Sequence, residues 1–347
     1  MAKSKKQDRG VNYNAAVRAL RENGPQRLYV LWGREDYLRE AYLEQLRRAC
    51  FPNGADDFSY RRFDGAALDL AALADAADAM PFLSDRTLLE VRDYDTNKCG
   101  DADTKRLLAI VEDLPDYCTL VFVMDTAFTP DGRLRVTKAL QKCGEMLQFA
   151  GQEGAALVSW VTKRFAASGR EIAPGDAQYL IEITGGLMNR MIPEIEKVSA
   201  YAADGAVRRA DIDAVVQKLP EAVVFELTDD LAARRNDAAM EKLAELLSDR
   251  DNTPIFLLAA IGQQLRRLYA AKIAAQEGLG TDAVCELCGV RYDFIAQRLT
   301  QSARRFSRAA LERAVVRCAE ADYTMKHSGA DDLAVLEELL LRLMAEE

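Results

Sequence analysis

Leu28-Tyr29-Val30-Leu31-Trp32-Gly33-Arg34-Glu35-Asp36-Tyr37-Leu38 is the stretch on which the fold turns. Five apolar residues stop at a glycine, which is the pattern of a short buried strand running into a turn. Helical spacing follows in Leu38, Tyr42, Leu46 and Ala49. The same alternation repeats downstream. Asp57 to Phe63 reads as a second strand, and the next helix carries Leu70, Leu73, Ala77 and Met80 on one stripe. Thr87 to Val91 is a third strand, and Leu107, Leu108 and Val111 belong to another helix. Thr119-Leu-Val-Phe-Val-Met124 is the strongest strand, ending at Asp125, and Met146 to Phe149 is the last. Strands alternating with helices predict a parallel α/β sheet covered on both faces.

After Gly151 the pattern becomes wholly helical. Leu157, Trp160, Val161 and Phe165 share a stripe closed by Ser168-Gly169. A helix over Asp176 to Ile183 ends at Gly185-Gly186, and Leu187 to Tyr201 forms a third. Leu219-Pro220 bounds this small all-α unit. Beyond it, Thr253-Pro254 is a start signal, with Thr as cap and Pro at the first helical position. Ile255, Leu258, Ile261, Leu265, Leu268 and Tyr269 then form a long stripe. The last helix opens at Asp331-Asp332 and repeats Leu333, Leu336, Leu340 and Leu343, a spacing that suits a bundle or a coiled-coil seam. The expected division is an α/β domain over 1–150, with a partly disordered arm within 1–20, a small helical domain over 151–218, and a second helical domain over 219–347.

Composition bounds the function. The chain has 347 residues, more than one ordinary domain, and is 49% hydrophobic and 29% charged, as soluble globular proteins are. No apolar run approaches the ~20 residues of a membrane helix, and the basic start, Met1 to Gly10, lacks the apolar segment of a secretory signal. A cytoplasmic location is expected. The net charge is −9, whereas chains that grip DNA alone are usually basic. Any nucleic-acid role is therefore local or shared with other chains. Seven scattered cysteines (Cys50, Cys99, Cys118, Cys143, Cys285, Cys288, Cys318) fit a reducing compartment. Cys285-x-x-Cys288 has no second pair and His327 is the only histidine, so it reads as two small residues on one face of a short helix rather than a zinc site.

An α/β domain followed by a helical one is the layout of many nucleotide-driven ATPases. In those, the first strand leads into G-x-x-x-x-G-K-[ST], whose amides and lysine hold phosphate. Here no Gly-Lys pair occurs, and Glu35 and Asp36 place like charge where phosphate belongs. Val123-Met124-Asp125-Thr126 looks like a magnesium-binding strand without the following acid that activates water. No G-x-S-x-G or H-E-x-x-H occurs. Catalysis by this chain is not expected, and neither is a metal or other cofactor.

The positive signal is Met80-Pro81-Phe82-Leu83, large apolar residues where a helix ends and a turn begins. Turns at the surface are usually polar. Such side chains either plug the core or are gripped by a partner. The pairs Arg234-Arg235, Arg266-Arg267 and Arg304-Arg305 fit solvated helix faces or phosphate contacts. Tyr323, Lys326 and His327, ahead of the last helix, are candidates for DNA proximity.

Across nearly its whole length the chain resembles the delta subunit of the bacterial DNA polymerase III clamp loader. The resemblance rests on seven stretches in order: Leu28 to Leu38; Ala79-Met-Pro-Phe-Leu-Ser-Asp-Arg86; Trp160 with Gly169-Arg-Glu-Ile172; Gly186 to Lys197; Val224-Phe-Glu-Leu-Thr-Asp229; Thr253-Pro254 with Gln264-Leu-Arg-Arg-Leu268; and Ala321-Asp-Tyr-Thr-Met-Lys326. It implies an AAA+-type α/β domain without a nucleotide site, a lid-like domain and a collar. It implies a non-ATPase subunit of a DNA-directed DNA polymerase holoenzyme, which binds the ring-shaped sliding clamp (beta) and opens it, or traps it open, for primed DNA. Met80, Phe82 and Leu83 match the clamp-contacting plug, and Pro81 departs from a purely helical one. Implied partners are the clamp, the loader ATPase subunits, delta-prime and, through the complex, primed DNA. The alternatives are a delta-prime-like paralogue, against which the absence of Ser-Arg-Cys and of clustered cysteines counts, and an AAA+ ATPase with an atypical site.

Overall fold

The computed structural model describes residues 10–54, 58–82, 84–152 and 154–345. The chain packs as two compact units, one ending at Gly151 and one beginning at Gln152.

The first unit runs α1 (Tyr13–Asn23), β1 (Leu28–Trp32), α2 (Asp36–Cys50), β2 (Tyr60–Asp64), α3 (Leu70–Asp78), β3 (Thr87–Arg92), α4 (Asp101–Glu112), β4 (Cys118–Val123), α5 (Arg135–Cys143) and β5 (Glu145–Gln148). The strands form one parallel sheet in the order β2-β3-β4-β1-β5. Successive side chains of a strand point to opposite faces. Leu28 and Val30 of β1 therefore join Leu89, Val91, Leu120 and Phe122 in a core with residues of α3, α4 and α5. Tyr29 meets α2 on the other face, its ring 6.2 Å from that of Tyr42. Both faces are covered, as the alternating pattern predicts.

Three expectations change at this level. Residues 13–20 of the expected arm belong to α1, capped by the Asn12 side chain, while residues 1–9 lie outside the described set. The second strand starts at Tyr60, with Phe58 and Ser59 in the turn before it and Asp57 outside the described residues. The third helix ends at Asp78, so Met80 is not on its stripe. Leu70, Leu73 and Ala77 are buried, and Met80 is 81% exposed. Proline disfavours helical backbone at the residue before it. Pro81 thus disfavours helix at Met80, and the chain is already extended one residue earlier, at Ala79 (ψ 120°).

The second unit contains α6 (Gly154–Ala167), β6 (Glu171–Ile172), α7 (Pro174–Thr184), α8 (Met188–Tyr201), β7 (Ala206–Val207), α9 (Arg209–Val215), α10 (Pro220–Ala232), α11 (Asn236–Ser248), α12 (Pro254–Gln276), α13 (Thr281–Cys288), α14 (Asp293–Ala303), α15 (Arg308–His327) and α16 (Asp332–Met344). It is not wholly helical. Two-residue strands β6 and β7 pair in parallel, because the returns from α6 and α8 bring Ile172 beside Val207, both buried. The helix α12 starts where Thr253-Pro254 predicts, with the Thr253 hydroxyl accepting from Phe256. It packs against α10, α13, α14, α15 and α16. Leu258, Ile261, Leu265 and Leu268 are in that core, whereas Ile255, in the first turn, is exposed. In α16, Leu336 and Leu340 are buried in the same core and Leu333 is partly exposed. Ordinary bundle packing thus accounts for the buried part of the leucine repeat.

Candidate functional site

In a parallel α/β sheet, ligands bind beyond the carboxyl ends of the strands. At that end of β1 the chain is closed upon itself. The N–H of Phe149 donates to Trp32 O (2.7 Å), and its carbonyl accepts from the N–H of Glu35 (2.9 Å). Gly33 takes φ 116°, and a Cβ there would lie 2.5 Å from the Phe149 oxygen, so only glycine fits. The Arg39 guanidinium donates to Gly33 O (2.9 Å) and pairs with Asp36. A helix amino terminus is a ready anion site, and that of α2 already carries the Asp36 carboxylate. Glu35 is fully buried. Asp125, past β4, accepts from the N–H of Ala127 (2.7 Å) and so shapes a turn.

A charged cluster runs under α2 along the middle of the sheet, where Glu90 lies opposite Arg62. The buried Glu90 of β3 accepts from Arg47 of α2 (2.5 Å), from the Tyr60 hydroxyl (2.6 Å) and from Arg92. Arg92 also donates twice to Glu40 of α2, at 2.7 and 2.8 Å. Burial alone would raise the Glu90 carboxyl. The hydrogen bonds from Arg47, Tyr60 and Arg92 outweigh it and hold the group below the usual carboxylate range. Burial first, then the Glu90 charge, pushes Tyr60 up to about 12.

The opposite end of the sheet differs. The segment from Ala79 to Arg86 joins α3 to the amino end of β3, and it is fastened on both flanks. The Tyr117 hydroxyl donates to Asp78 O (2.9 Å) at the end of α3. Ser84 Oγ donates to Ser59 Oγ (2.6 Å) and lies 3.0 Å from Arg86 O. Arg86 itself donates to the Thr119 hydroxyl of β4 (3.0 Å). Between these anchors Met80 and Phe82 stand 81% and 83% exposed, with Pro81 half-buried. Neither Met80 nor Phe82 is a core plug. Leu83 lies outside the described residues.

The remaining sequence candidates separate. Tyr323, 66% exposed, stacks on His327 with ring centroids 4.3 Å apart in the last turn of α15. Lys326 pairs with Asp322 (2.8 Å). Arg235 pairs with Asp230 (2.6 Å), and Arg267 donates to Cys288 O (3.0 Å). Arg305 lines a cavity of about 320 Å³ with Arg209 and Arg298. In it Arg298 pairs with both Glu182 and Asp229, the two carboxylates among the lining residues. Cys285 and Cys288 are buried on one face of α13, and burial pushes the Cys285 thiol up to about 11. Among the described residues no group of three or more His, Cys, Asp or Glu is placed to hold a metal ion, and no helix is long and apolar enough to cross a membrane.

Residues 29–150 match the family model described as DNA polymerase III, delta subunit, and residues 221–343 match that of the delta subunit's C-terminal domain. The chain belongs to the DNA polymerase III delta subunit family. It is 25% identical over 336 residues to DNA polymerase III subunit delta of Bacillus subtilis (strain 168), covering 94% of this chain and 95% of that one. It is 22% identical over 189 residues, 54% of each chain, to the probable delta subunit of Aquifex aeolicus (strain VF5). A solved structure titled Bacillus subtilis DNA clamp loader delta protein (YqeN) shares the fold, with TM-score 0.57 and 22% identity over 96% of this chain and 100% of that one. Sequence reasoning missed the anchoring by Tyr117, Ser59 and Thr119, because those residues are distant along the chain and ordinary in type.

Proposed function

We propose that this delta-family chain serves a bacterial clamp loader, binding the sliding clamp and opening its ring, or trapping it open, for loading onto primed DNA. Its carrying observation is the pair Met80 and Phe82, large, apolar, more than four-fifths exposed, and held out by a turn fastened at both ends. Burying each in an apolar pocket contributes about 1.5–3 kcal/mol. The anchors at Asp78 and Ser84 hold the flanks of the turn before any partner arrives, which lowers the ordering cost of binding. Met80, Pro81 and Phe82, with Leu83 beside them in sequence, form the proposed clamp-binding segment. The closed phosphate position supports a role in which the ATPase work falls to partner subunits. The relative with the solved structure carries the clamp-loader title, which agrees with this reading.

The reading divides the chain into an α/β domain (1–150), a lid-like domain (151–218) and a collar (219–347) that assembles with the ATPase subunits and delta-prime, in the cytoplasm. The stacked Tyr323 and His327 favour a DNA-facing role for the end of α15, since exposed aromatic faces suit base stacking, at about 1–3 kcal/mol per base. Titration of the cognate clamp onto the full chain tests the main reading. Phe82→Ala is expected to abolish measurable binding at micromolar concentrations with an unchanged circular dichroism spectrum. Unaltered affinity sinks the assignment. For the second element, Tyr323→Ala in the assembled loader is expected to weaken primed-DNA binding several-fold without changing clamp affinity.

A further inference from the structure

Among the described residues of the first unit, three large apolar side chains are mostly exposed: Phe58 (71%), Met80 and Phe82. Single exposed apolar residues are ordinary, but these three share one place. Phe58 sits just before β2 and the other two lie ahead of β3, its parallel neighbour, so all three belong to the amino end of the sheet. Tyr60 lies opposite Leu88 in the ladder, and the N–H of Leu88 donates to Ser59 O (2.8 Å), which carries the pairing back to the residue after Phe58. The Ser84–Ser59 hydroxyl bridge, at 2.6 Å, ties the two turns directly. Phe58 is one residue from that bridge and Phe82 is two residues from it. At ~3.8 Å per residue step, the bridge keeps their Cα atoms within roughly 19 Å. A standard interface of ~800 Å² per partner is a disc about 32 Å wide, wide enough for one partner to span both. Ser59 is buried with its hydroxyl and carbonyl both engaged, which pins the backbone that presents Phe58.

We infer that Phe58 is a third apolar anchor of the surface presented by Met80 and Phe82, and that the sliding clamp is the partner that covers it. This rests on the clamp-binding reading above. No feature of the strand-forming pattern announces Phe58, because it becomes a neighbour of Phe82 only through the parallel pairing of β2 with β3.

The test is the equilibrium and kinetics of the full chain with the cognate clamp, for the wild type, Phe58→Ala, Phe58→Leu and Phe82→Ala, with thermal unfolding of each. Phe58→Ala is expected to weaken binding about tenfold, mainly through faster dissociation, as anchor truncations do. Phe58→Leu, which keeps apolar bulk, is expected to recover most of that loss. Hydroxyl-radical footprinting of the wild-type chain is expected to show clamp protection at Phe58 together with Phe82, independently of any variant's folding. Loss of binding in Phe82→Ala with wild-type affinity in Phe58→Ala and no protection of Phe58 overturns the third anchor and leaves the clamp reading standing. Wild-type affinity in Phe82→Ala removes the clamp reading and this inference with it.

Discussion

The two ends of one parallel sheet make opposite use of the same kind of connection. At the carboxyl end, Gly33 to Asp36 is drawn inward, with its amides and carbonyls spent on Phe149 and Arg39. Between the two ends, charged partners from α2, β2 and β3 surround the buried Glu90. At the amino end, the turn before β3 is fastened only at its margins, and its middle holds apolar side chains out in solvent. On the clamp-binding reading proposed above, a fold that binds ligands at one end works from the other once the first is filled.

The largest expected effect strikes the cluster that lies between the two ends. Glu90→Gln leaves Arg47 and Arg92 facing a neutral group in a buried cluster, and removing one partner of such a pair costs about 3 kcal/mol or more. Urea unfolding at neutral pH measures it, and a variant as stable as the wild type would mean that the cluster is not what holds α2 to the sheet. The pH dependence follows from the lowered Glu90 carboxyl. A group whose folded pKa is depressed contributes stability above its unfolded value and loses it as pH falls through the folded one. Wild-type stability should therefore drop as pH falls below the ordinary carboxylate range of about 4.3, and Glu90→Gln should lack that part of the slope.

Next is the open end. Phe82→Ala is expected to cost about 2 kcal/mol or more of clamp affinity, the scale of a hot-spot residue, while shifting unfolding by less than about 0.5 kcal/mol, as exposed substitutions do. A large loss of stability instead would place Phe82 in the core and erase the contrast between the ends. The smallest effect sharpens it. Gly33→Ala forces a positive φ on a residue with a side chain and brings a Cβ against the Phe149 carbonyl, for a cost of about 1–2 kcal/mol of stability. Clamp affinity of the folded fraction should be unchanged, because that strain acts at the other end of the sheet.

Much of the scaffold was legible along the chain. Leu28 to Trp32 reads as a strand because its side chains are buried on both faces, and Thr253-Pro254 marks a helix start by a local hydrogen bond. The helix boundary at Asp78 was misread because Met80 continues the apolar stripe. Pro81 decides against it through a backbone clash that periodicity does not register. The parallel pair of Ile172 with Val207 was missed because two-residue strands leave no pattern. Of the candidate site, the residue types were readable but the anchoring by Tyr117, Ser59 and Thr119 was not.

The sequence by itself determined the alternation that makes a parallel sheet, the missing phosphate loop, and the presence of large apolar residues beside a proline. These are properties of neighbouring residues, set by period, composition and local backbone sterics. Only the tertiary structure decided that Met80 and Phe82 face solvent rather than the core, that Phe149 closes the turn where phosphate would sit, and that Phe58 shares an edge with Phe82. Those outcomes depend on groups far apart in the chain, which meet only when strand pairing fixes their distance.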